Sequence, residues 1–184
     1  MNIPNSRENP FLVGHELAER ELLMAWRSNR VPHGWLLHGP RGIGKATLAF
    51  RFARFVLAGG AAVDPNSISI NSDSSLFRRI ASGGHSDLVV LERTYDKERK
   101  RLRSVIVVDD VRTAGRFLNL TAGESDWRIV IVDAVDEMNE SAVNALLKML
   151  EEPPARTLLL LVTHAPGQLP ATIRSRCCEL ALGR

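Results

Sequence analysis

Cysteine is scarce in this chain, and its placement excludes two kinds of structure. The 184 residues contain two cysteines, which are the neighbours Cys177 and Cys178. Adjacent cysteines staple no loop, and no C-x-x-C pair or spaced histidine set offers the ligand pattern of a metal site. We therefore predict no zinc or other metal site, no structural disulfide, and a reducing, cytoplasmic environment.

Long apolar runs and a strong excess of charge are also missing. The net charge is +3 and aromatic residues make up 5% of the chain, so composition alone does not indicate nucleic-acid binding. No apolar run approaches the roughly 20 residues of a transmembrane helix, and the polar start of the chain is unlike a signal peptide. A hydrophobic content of 45% suits one compact domain over residues 1–184 that contacts no membrane.

A glycine-rich loop is the first motif that is present. Gly39-Pro40-Arg41-Gly42-Ile43-Gly44-Lys45 lies between a short apolar run and a helical pattern at residues 45–57. This order of strand, loop and helix is typical of a phosphate-binding loop. Its glycines let backbone N–H groups face the phosphates, and its lysine reaches the β and γ phosphates. A chance glycine-rich turn is the alternative, and it leaves the flanking strand and helix unexplained.

The loop lacks the hydroxyl that normally follows its lysine and binds Mg²⁺. That position is Ala46, and Thr47 cannot replace it, because one residue further along a helix is rotated by about 100°. We still count Thr47 with Gly39, Gly42, Gly44 and Lys45 among the residues of a degenerate nucleotide site, which we expect to bind ATP or ADP weakly at most, with no required cofactor.

A second catalytic group is missing after the aliphatic run at residues 129–132. The run ends at Asp133, where an acid would support Mg²⁺ in an ATPase. A loop-capping aspartate is the alternative for this residue. An active ATPase of this type would place Glu next to orient the attacking water, but Ala134 has no side-chain acceptor. Both losses affect hydrolysis and neither affects the fold, and we assign the catalytic role to neither Asp136 nor Glu137.

The fold class follows from residues 129–132 and 158–162, which are aliphatic without polar alternation. Such runs predict central strands buried on both faces, and their alternation with helices predicts an α/β, doubly wound parallel sheet. We also predict strands at 35–38, 88–91 and 105–108, helices at 45–57 and 111–121, and a helix that Asn139 caps and Pro153 ends. Residues 59–86 are poor in large apolar residues. They predict an insertion or mobile loop with a short helix near 76–80.

Several further motifs resemble one family. They are Asp133-Ala134-Val135-Asp136-Glu137-Met138-Asn139, the run NALLKMLEEPP at 144–154 and the run LPATIRSRC at 169–177. With VGHE at 13–16 and HGWLLHGP at 33–40, they are similar to the clamp-loader branch of the AAA+ proteins over most of the chain. The resemblance is strongest to the delta-prime type of bacterial DNA polymerase III subunit, which commonly lacks a working ATPase site. It implies a P-loop AAA+ nucleotide-binding fold.

The resemblance also implies a function. We expect a non-hydrolysing clamp-loader subunit that supports sliding-clamp loading at primed DNA during DNA replication. Its partners would be the gamma/tau and delta subunits, and through the complex the clamp and DNA. Arg176 would be an arginine finger presented to ATP on a neighbouring subunit, and an ordinary surface arginine is the alternative. Thr163 resembles a sensor of the γ-phosphate or, equally, a strand-terminal threonine that bonds its own loop.

The sequence differs from the family pattern in two respects, and two other functions are alternatives to the one just described. Members of the family often carry a four-cysteine zinc module after the first helix, but residues 59–86 contain no cysteine. The family's C-terminal lid and collar domains are expected to be absent from this chain. One rival is an active, ATP-hydrolysing subunit of gamma/tau type. The other is a DNA-binding module, for which the candidates are Arg93, Lys97, Arg99, Lys100, Arg101 and Arg103. Interleaved acids favour a solvated connection there.

Overall fold

The computed structural model describes residues 5–96 and 100–183, so Lys97 and Arg99 of the basic cluster lie outside the described residues. The helices are α1 (Glu16–Arg27), α2 (Lys45–Leu57), α3 (Ser75–Ala81), α4 (Val108–Leu118), α5 (Glu140–Glu151) and α6 (Ala171–Arg174). The strands are β1 (Gly34–His38), β2 (Leu88–Leu91), β3 (Tyr95–Asp96), β4 (Arg101–Leu102), β5 (Arg128–Asp133), β6 (Thr157–Thr163) and β7 (Cys178–Ala181).

The described residues form a five-stranded sheet in the order β2-β5-β6-β1-β7. All its neighbouring strands are parallel. The two aliphatic runs lie in β5 and β6, inside the sheet, as their composition predicts. Because parallel strands share a direction, the carboxyl ends of β1, β5 and β6 meet at one edge. The glycine-rich loop, Asp133 and Thr163 are therefore gathered at that edge.

The three inner strands β1, β5 and β6 bury both of their faces. In β5, Ile129 and Ile131 pack into one core cluster, whereas Val130 and Val132 pack into another. Residues of α1, α2 and α3 belong to the first cluster, and residues of α4, α5 and α6 belong to the second. Successive side chains of a strand point to opposite faces, so this division places helices on both sides of the sheet. The predicted doubly wound α/β architecture is confirmed.

The helix boundaries follow local signals. The side chain of Asn139 accepts a hydrogen bond of 2.9 Å from the backbone N–H of Ala142, which confirms the predicted cap of α5. That helix ends at Glu151, before the Pro153-Pro154 pair. The first helical residue of α2 is Lys45, directly after the glycine-rich loop, so the positive end of the helix faces the loop.

The prediction of a strand at residues 105–108 is wrong. Ile106 forms an isolated parallel bridge with Met138, and α4 already begins at Val108. The Ile106 backbone N–H donates to the Glu137 carbonyl at 2.7 Å, and the Ile106 carbonyl accepts from the Asn139 N–H at 3.4 Å, so the segment is held beside the turn after β5. Tertiary packing has overridden the β-propensity of four branched residues.

The segment at 59–86, which we predict to be an insertion or mobile loop, contains a helix and several buried side chains. The predicted short helix is present as α3, and the Ser74 side chain caps it by accepting a 3.1 Å bond from the Phe77 N–H. Ile68, Ile70, Phe77 and Ile80 are buried in the core cluster that contains α2. These side chains anchor the segment to the sheet, because leaving them in water would lose the free energy of apolar burial.

The charged connection after β2 contains structure that its composition did not predict. The short strands β3 and β4 pair in an antiparallel ribbon, with Tyr95 opposite Leu102. Arg93 at its base binds Glu137, and Arg103 lies 3.9 Å from Asp110. These two members of the basic cluster are thus paired with acids of the same chain.

Candidate functional site

The glycine-rich loop is folded in a way that only glycine tolerates at two positions. Gly44 precedes α2 with a φ of +106°, and a Cβ there would lie 2.6 Å from Leu12 Cδ1. Gly39 has a φ of +148°, and a Cβ there would lie 2.2 Å from the Leu182 carbonyl oxygen. Both positions combine a left-handed backbone with close contact. The loop therefore keeps the backbone shape that a phosphate-binding loop requires.

Lys45 is turned back onto the loop that precedes it. Its Nζ donates to the carbonyl of Gly39 at 2.7 Å and to that of Pro40 at 2.6 Å, and the residue is 3% exposed. Burial lowers the pKa of Lys45, while the charges of Asp133 and Asp136 oppose that change. To reach a phosphate, the ammonium group would have to exchange these carbonyls for phosphate oxygens.

A small cleft of about 260 Å³ lies at the start of α2. We call it the phosphate cleft. Its lining consists of Ser6, Gly42, Gly44, Lys45, Ala46, Thr47, Asp133, Val162 and His164. Five of the predicted site residues, Gly42, Gly44, Lys45, Thr47 and Asp133, are thus brought together in one place. Gly39 contributes its carbonyl to Lys45 from outside this lining.

Ala46 and Ala134 occupy the two positions at which the sequence lacks a metal-binding hydroxyl and a water-orienting carboxylate. Ala46 lines the phosphate cleft with a methyl group, and Ala134 is 2% exposed next to Asp133. Neither side chain can bind a metal ion or orient a water molecule. Thr47 also lines the cleft, so its hydroxyl is near the loop without occupying the position that follows the lysine.

Asp133 stands in an acidic environment. Burial raises the pKa of its carboxyl group, as do the charges of Glu92 and Glu137, while Lys45 partly offsets them. Glu137 is itself paired, because its Oε2 lies 2.7 Å from Arg93 Nε and its Oε1 lies 3.9 Å from Arg41 Nη2. These two arginines engage Glu137, which lines a second cleft together with Ala134.

Thr163 is fully buried, and its hydroxyl is already occupied. The Thr163 Oγ1 donates to Asp136 at 2.6 Å and accepts from the Ala165 N–H at 3.2 Å. Asp136 also accepts from the His164 N–H at 2.5 Å. This network ties the end of β6 to the turn after β5. The geometry favours the strand-terminal role of Thr163 over a contact with a γ-phosphate, and Asp136, to which we assigned no role, is its partner.

Arg176 lies at the opposite end of the sheet from the phosphate cleft. Strand β7 pairs with β1 so that Cys178 stands beside Trp35, and the Arg176 carbonyl lies against Gly34, the first residue of β1. The glycine-rich loop follows His38, the last residue of that strand. At about 3.3 Å per residue, β1 alone separates the two ends by about 13 Å. Arg176 therefore does not serve the cleft of its own chain.

The cleft suits a phosphate better than a metal-bound nucleotide. The loop, the start of α2 and the Lys45 ammonium supply positive charge and N–H donors for an anion. A Mg²⁺ ion would find a methyl group at Ala46 in place of the usual hydroxyl. Nowhere in residues 5–96 and 100–183 do three His, Cys, Asp or Glu side chains form a group that could hold a metal ion.

Three cleft residues were not predicted. Ser6 reaches the cleft from the start of the chain, Val162 belongs to the end of β6, and His164 lines the cleft from the turn after β6. Burial, followed by the charges of Lys45 and Arg41, lowers the pKa of His164, which favours its neutral form. Position at the end of a predicted strand was the one signal that could have indicated His164.

Comparison with known proteins gives a consistent set of similarities. A family model described as DNA polymerase III, delta subunit, matches residues 14–184. The DNA polymerase III subunit delta' of Pseudomonas aeruginosa is 38% identical over 149 residues, which are 81% of this chain and 42% of that protein. The subunit tau of Bacillus subtilis is 30% identical over 166 residues, which are 90% of this chain and 27% of that protein.

Solved structures share the fold. A DNA polymerase III gamma subunit-related protein of Thermotoga maritima superposes with a TM-score of 0.63 at 23% identity, covering 89% of this chain and 46% of that one. The chain thus spans less than half the length of these relatives. Within the part of the chain that the structure describes, no helix is long and apolar enough to cross a membrane.

Proposed function

Because this chain belongs to the delta-prime family of DNA polymerase III, in the clamp-loader branch of the AAA+ proteins, we propose that it is a non-hydrolysing clamp-loader subunit. The observation that carries this proposal is the pair of methyl groups at Ala46 and Ala134. One stands where a hydroxyl would bind Mg²⁺, and the other stands where a carboxylate would orient water. The rest of the loop keeps its shape.

The proposal gives Arg176 a role at a neighbouring subunit. A guanidinium is permanently charged and planar, so it can make two hydrogen bonds to phosphate oxygens. Its position at the far end of the sheet from its own cleft supports action in trans. Arg176 is partly exposed and stands on the turn before the edge strand β7, where a second chain can approach it.

The partners we propose are the gamma/tau and delta subunits of the same complex. Together they would load a sliding clamp onto primed DNA in the cytoplasm during replication. In such an assembly this chain would hold the neighbour's ATP site in shape and complete it with Arg176. It would not turn over ATP itself.

Hydrolysis assays test both halves of the proposal. The purified chain should show no ATP turnover with or without Mg²⁺. In the assembled loader, Arg176→Ala should reduce turnover at the neighbouring site by about 10³ or more, the size of effect known for arginine fingers. Arg174→Ala is the matched control, because Arg174 is an exposed arginine two residues away, at the end of α6. Equal effects of the two substitutions would contradict the finger role.

An active subunit of gamma/tau type is the second candidate, and the similarity to a tau subunit favours it. It requires Thr47 to supply the metal ligand and another acid to replace Ala134. Glu137 lines a cleft together with Ala134 and is a candidate acid, but it is paired with Arg93. Mg²⁺-dependent turnover by the isolated chain, abolished by Thr47→Val and retained in Arg174→Ala, would establish this candidate in place of the first.

A further inference from the structure

Residues 5–10, which we call the N-terminal strap, pass beside the phosphate cleft. Within the strap, the Glu8 and Asn9 N–H groups both donate to the Asn5 carbonyl at 2.9 Å, which closes a turn. The residue in the middle of that turn, Ser6, lines the cleft together with Lys45 and Thr47. The strap therefore forms one wall of the cleft.

A buried arginine of α2 holds the strap in place. Arg54 donates to the carbonyls of Arg7 and Asn9, each at 3.0 Å, and it is 1% exposed. Its guanidinium also lies 4.4 Å from the centre of the Phe77 ring. Two hydrogen bonds and a cation–π contact in a water-free environment form a strong attachment.

Two further attachments secure the ends of the strap. Arg51, also on α2, donates to the Pro10 carbonyl and to Glu19. Arg7 forms a 2.9 Å ion pair with Glu92, and its guanidinium lies 5.7 Å from the Phe50 ring centre. The strap is thus fixed to the helix that begins at the phosphate-binding loop and to the end of β2.

The chain after the strap also constrains the loop. The side chain of Leu12 fills the space beside Gly44, and His15 Nε2 lies 2.6 Å from the Ile43 carbonyl oxygen. With the strap in place, the cleft measures about 260 Å³. Pockets that take small molecules and cofactors usually measure about 300–1,000 Å³. With the strap in place, the cleft is therefore smaller than the usual pocket for a ligand of nucleotide size.

We infer that the N-terminal strap sets the ligand specificity of the phosphate cleft by excluding nucleosides, so that a nucleotide enters only when the strap moves. This inference rests on the proposed function, in which the cleft is the remnant of a nucleotide site. It adds a second reason for the lack of activity, because the missing hydroxyl and carboxylate affect metal binding and chemistry, whereas the strap limits entry.

The test compares ADP binding by the wild-type chain and by Arg7→Ala. That substitution removes the Glu92 ion pair and the Phe50 contact but leaves the cleft lining intact. We expect ADP to bind about three- to tenfold more tightly, since two weak attachments are lost. The control is Arg156→Ala, which breaks a 2.5 Å ion pair with Asp126 at the other end of the sheet. It should leave ADP affinity unchanged.

A second variant keeps the inference testable if Arg7→Ala is too mild. A chain that begins at Phe11 and carries Arg54→Met has no strap, and it leaves no buried charge unpaired because Arg51 keeps its ion pair with Glu19. It should bind ADP at least as tightly as Arg7→Ala. Hydrogen exchange at Glu8 and Asn9 shows directly whether Arg7→Ala has loosened the strap. Unchanged ADP affinity in the strapless chain, with the fold intact by circular dichroism, would overturn the inference.

ATP turnover in the same variants separates this inference from the proposed function. Neither variant restores the groups missing at Ala46 and Ala134, so we expect no hydrolysis even when ADP binds. Tighter ADP binding with Mg²⁺-dependent hydrolysis would support the strap and contradict the non-hydrolysing role. Unchanged ADP binding without hydrolysis would contradict the inference about the strap and support the non-hydrolysing role.

Discussion

Arg176 and Glu151 form an ion pair in which Nη2 lies 3.0 Å from Oε1. Arg176 Nη1 also donates to the Thr172 carbonyl at 3.0 Å. Both side chains of the ion pair are partly exposed, and the pair joins the end of α5 to the turn after α6. The proposed finger is therefore held by its own chain before any neighbour is present, and Glu151 competes with a phosphate for the same guanidinium.

Replacing Glu151 tests this competition. Exposed ion pairs contribute about 0–1 kcal/mol, so Glu151→Gln should change the free energy of unfolding by less than about 1 kcal/mol. In the assembled loader it should raise ATP turnover by about two- to fivefold, because the guanidinium is more often free. Glu152→Gln, at the exposed neighbouring position, serves as the control. A fall in turnover would indicate that Glu151 orients Arg176 for the reaction instead of restraining it.

Asp87 connects the start of β2 to the loop before β5, and we expect it to make stability depend on pH. Its carboxylate accepts N–H bonds from Gly123 at 2.7 Å and from Glu124 and Ser125 at 2.9 Å. Burial alone would raise the pKa of Asp87, but these three donors outweigh it, and the pKa is below the ordinary value of 3.8. A carboxyl group with a lowered folded pKa contributes stability above its unfolded pKa and loses it as the pH falls through the folded pKa.

Urea denaturation of Asp87→Asn at several pH values checks this expectation. At pH 7 the variant should be less stable by about 1.5–3 kcal/mol, since charged hydrogen bonds to buried donors are lost. The gap to wild type should narrow progressively below about pH 4, because Asp87 takes up a proton in the unfolded chain before it does so in the folded chain. Asp126→Asn, at an exposed surface pair, should cost less than about 1 kcal/mol. A gap that stays constant down to pH 2 would be inconsistent with the lowered pKa.

Long-range packing decided which elements could be predicted from the sequence. Strands β5 and β6 were predictable, because burial on both faces leaves an uninterrupted aliphatic run. Strand β7 was not, because an edge strand with Leu180 as its buried residue has little periodicity. Helix α1 was missed for a similar reason: its buried residues are Ala18, Leu22 and Leu23, in a segment rich in charge.

The residues of the candidate site also fall into a group that could be predicted from the sequence and a group that could not. The glycine-rich loop and Asp133 are local motifs, so their residues could be named from the sequence. The contact of Thr163 with Asp136 joins residues 27 positions apart, and Ser6 reaches the cleft because Arg54 holds the strap there. No local pattern encodes such contacts, since they depend on how the chain crosses the sheet edge after folding.

The two neighbouring cysteines should differ sharply in reactivity. Burial, followed by the charges of Cys178 and Glu179, raises the pKa of the Cys177 thiol to about 12, so it stays protonated at neutral pH. Cys178 is exposed on the edge strand β7. Titration with a disulfide reagent at pH 8 should therefore modify one thiol per native chain and two after unfolding. Cys178→Ser should abolish the native reaction. If Cys177→Ser abolished it instead, the assignment of the exposed thiol would be wrong.

Restoring the hydroxyl at position 46 separates metal binding from catalysis. The substitution Ala46→Ser is made in an Arg7→Ala chain, where the strap is loosened. It should make the affinity for ADP depend on Mg²⁺. The Arg7→Ala chain without the serine should bind ADP equally well with and without Mg²⁺. Ala145→Ser, at a half-buried helical position outside the cleft, controls for the substitution itself. Hydrolysis should still be absent, because Ala134 cannot orient water, and it should require Ala134→Glu in addition. Turnover by the Ala46→Ser chain alone would mean that another acid, such as Glu137, orients the water and that the one missing hydroxyl accounts for the loss of activity.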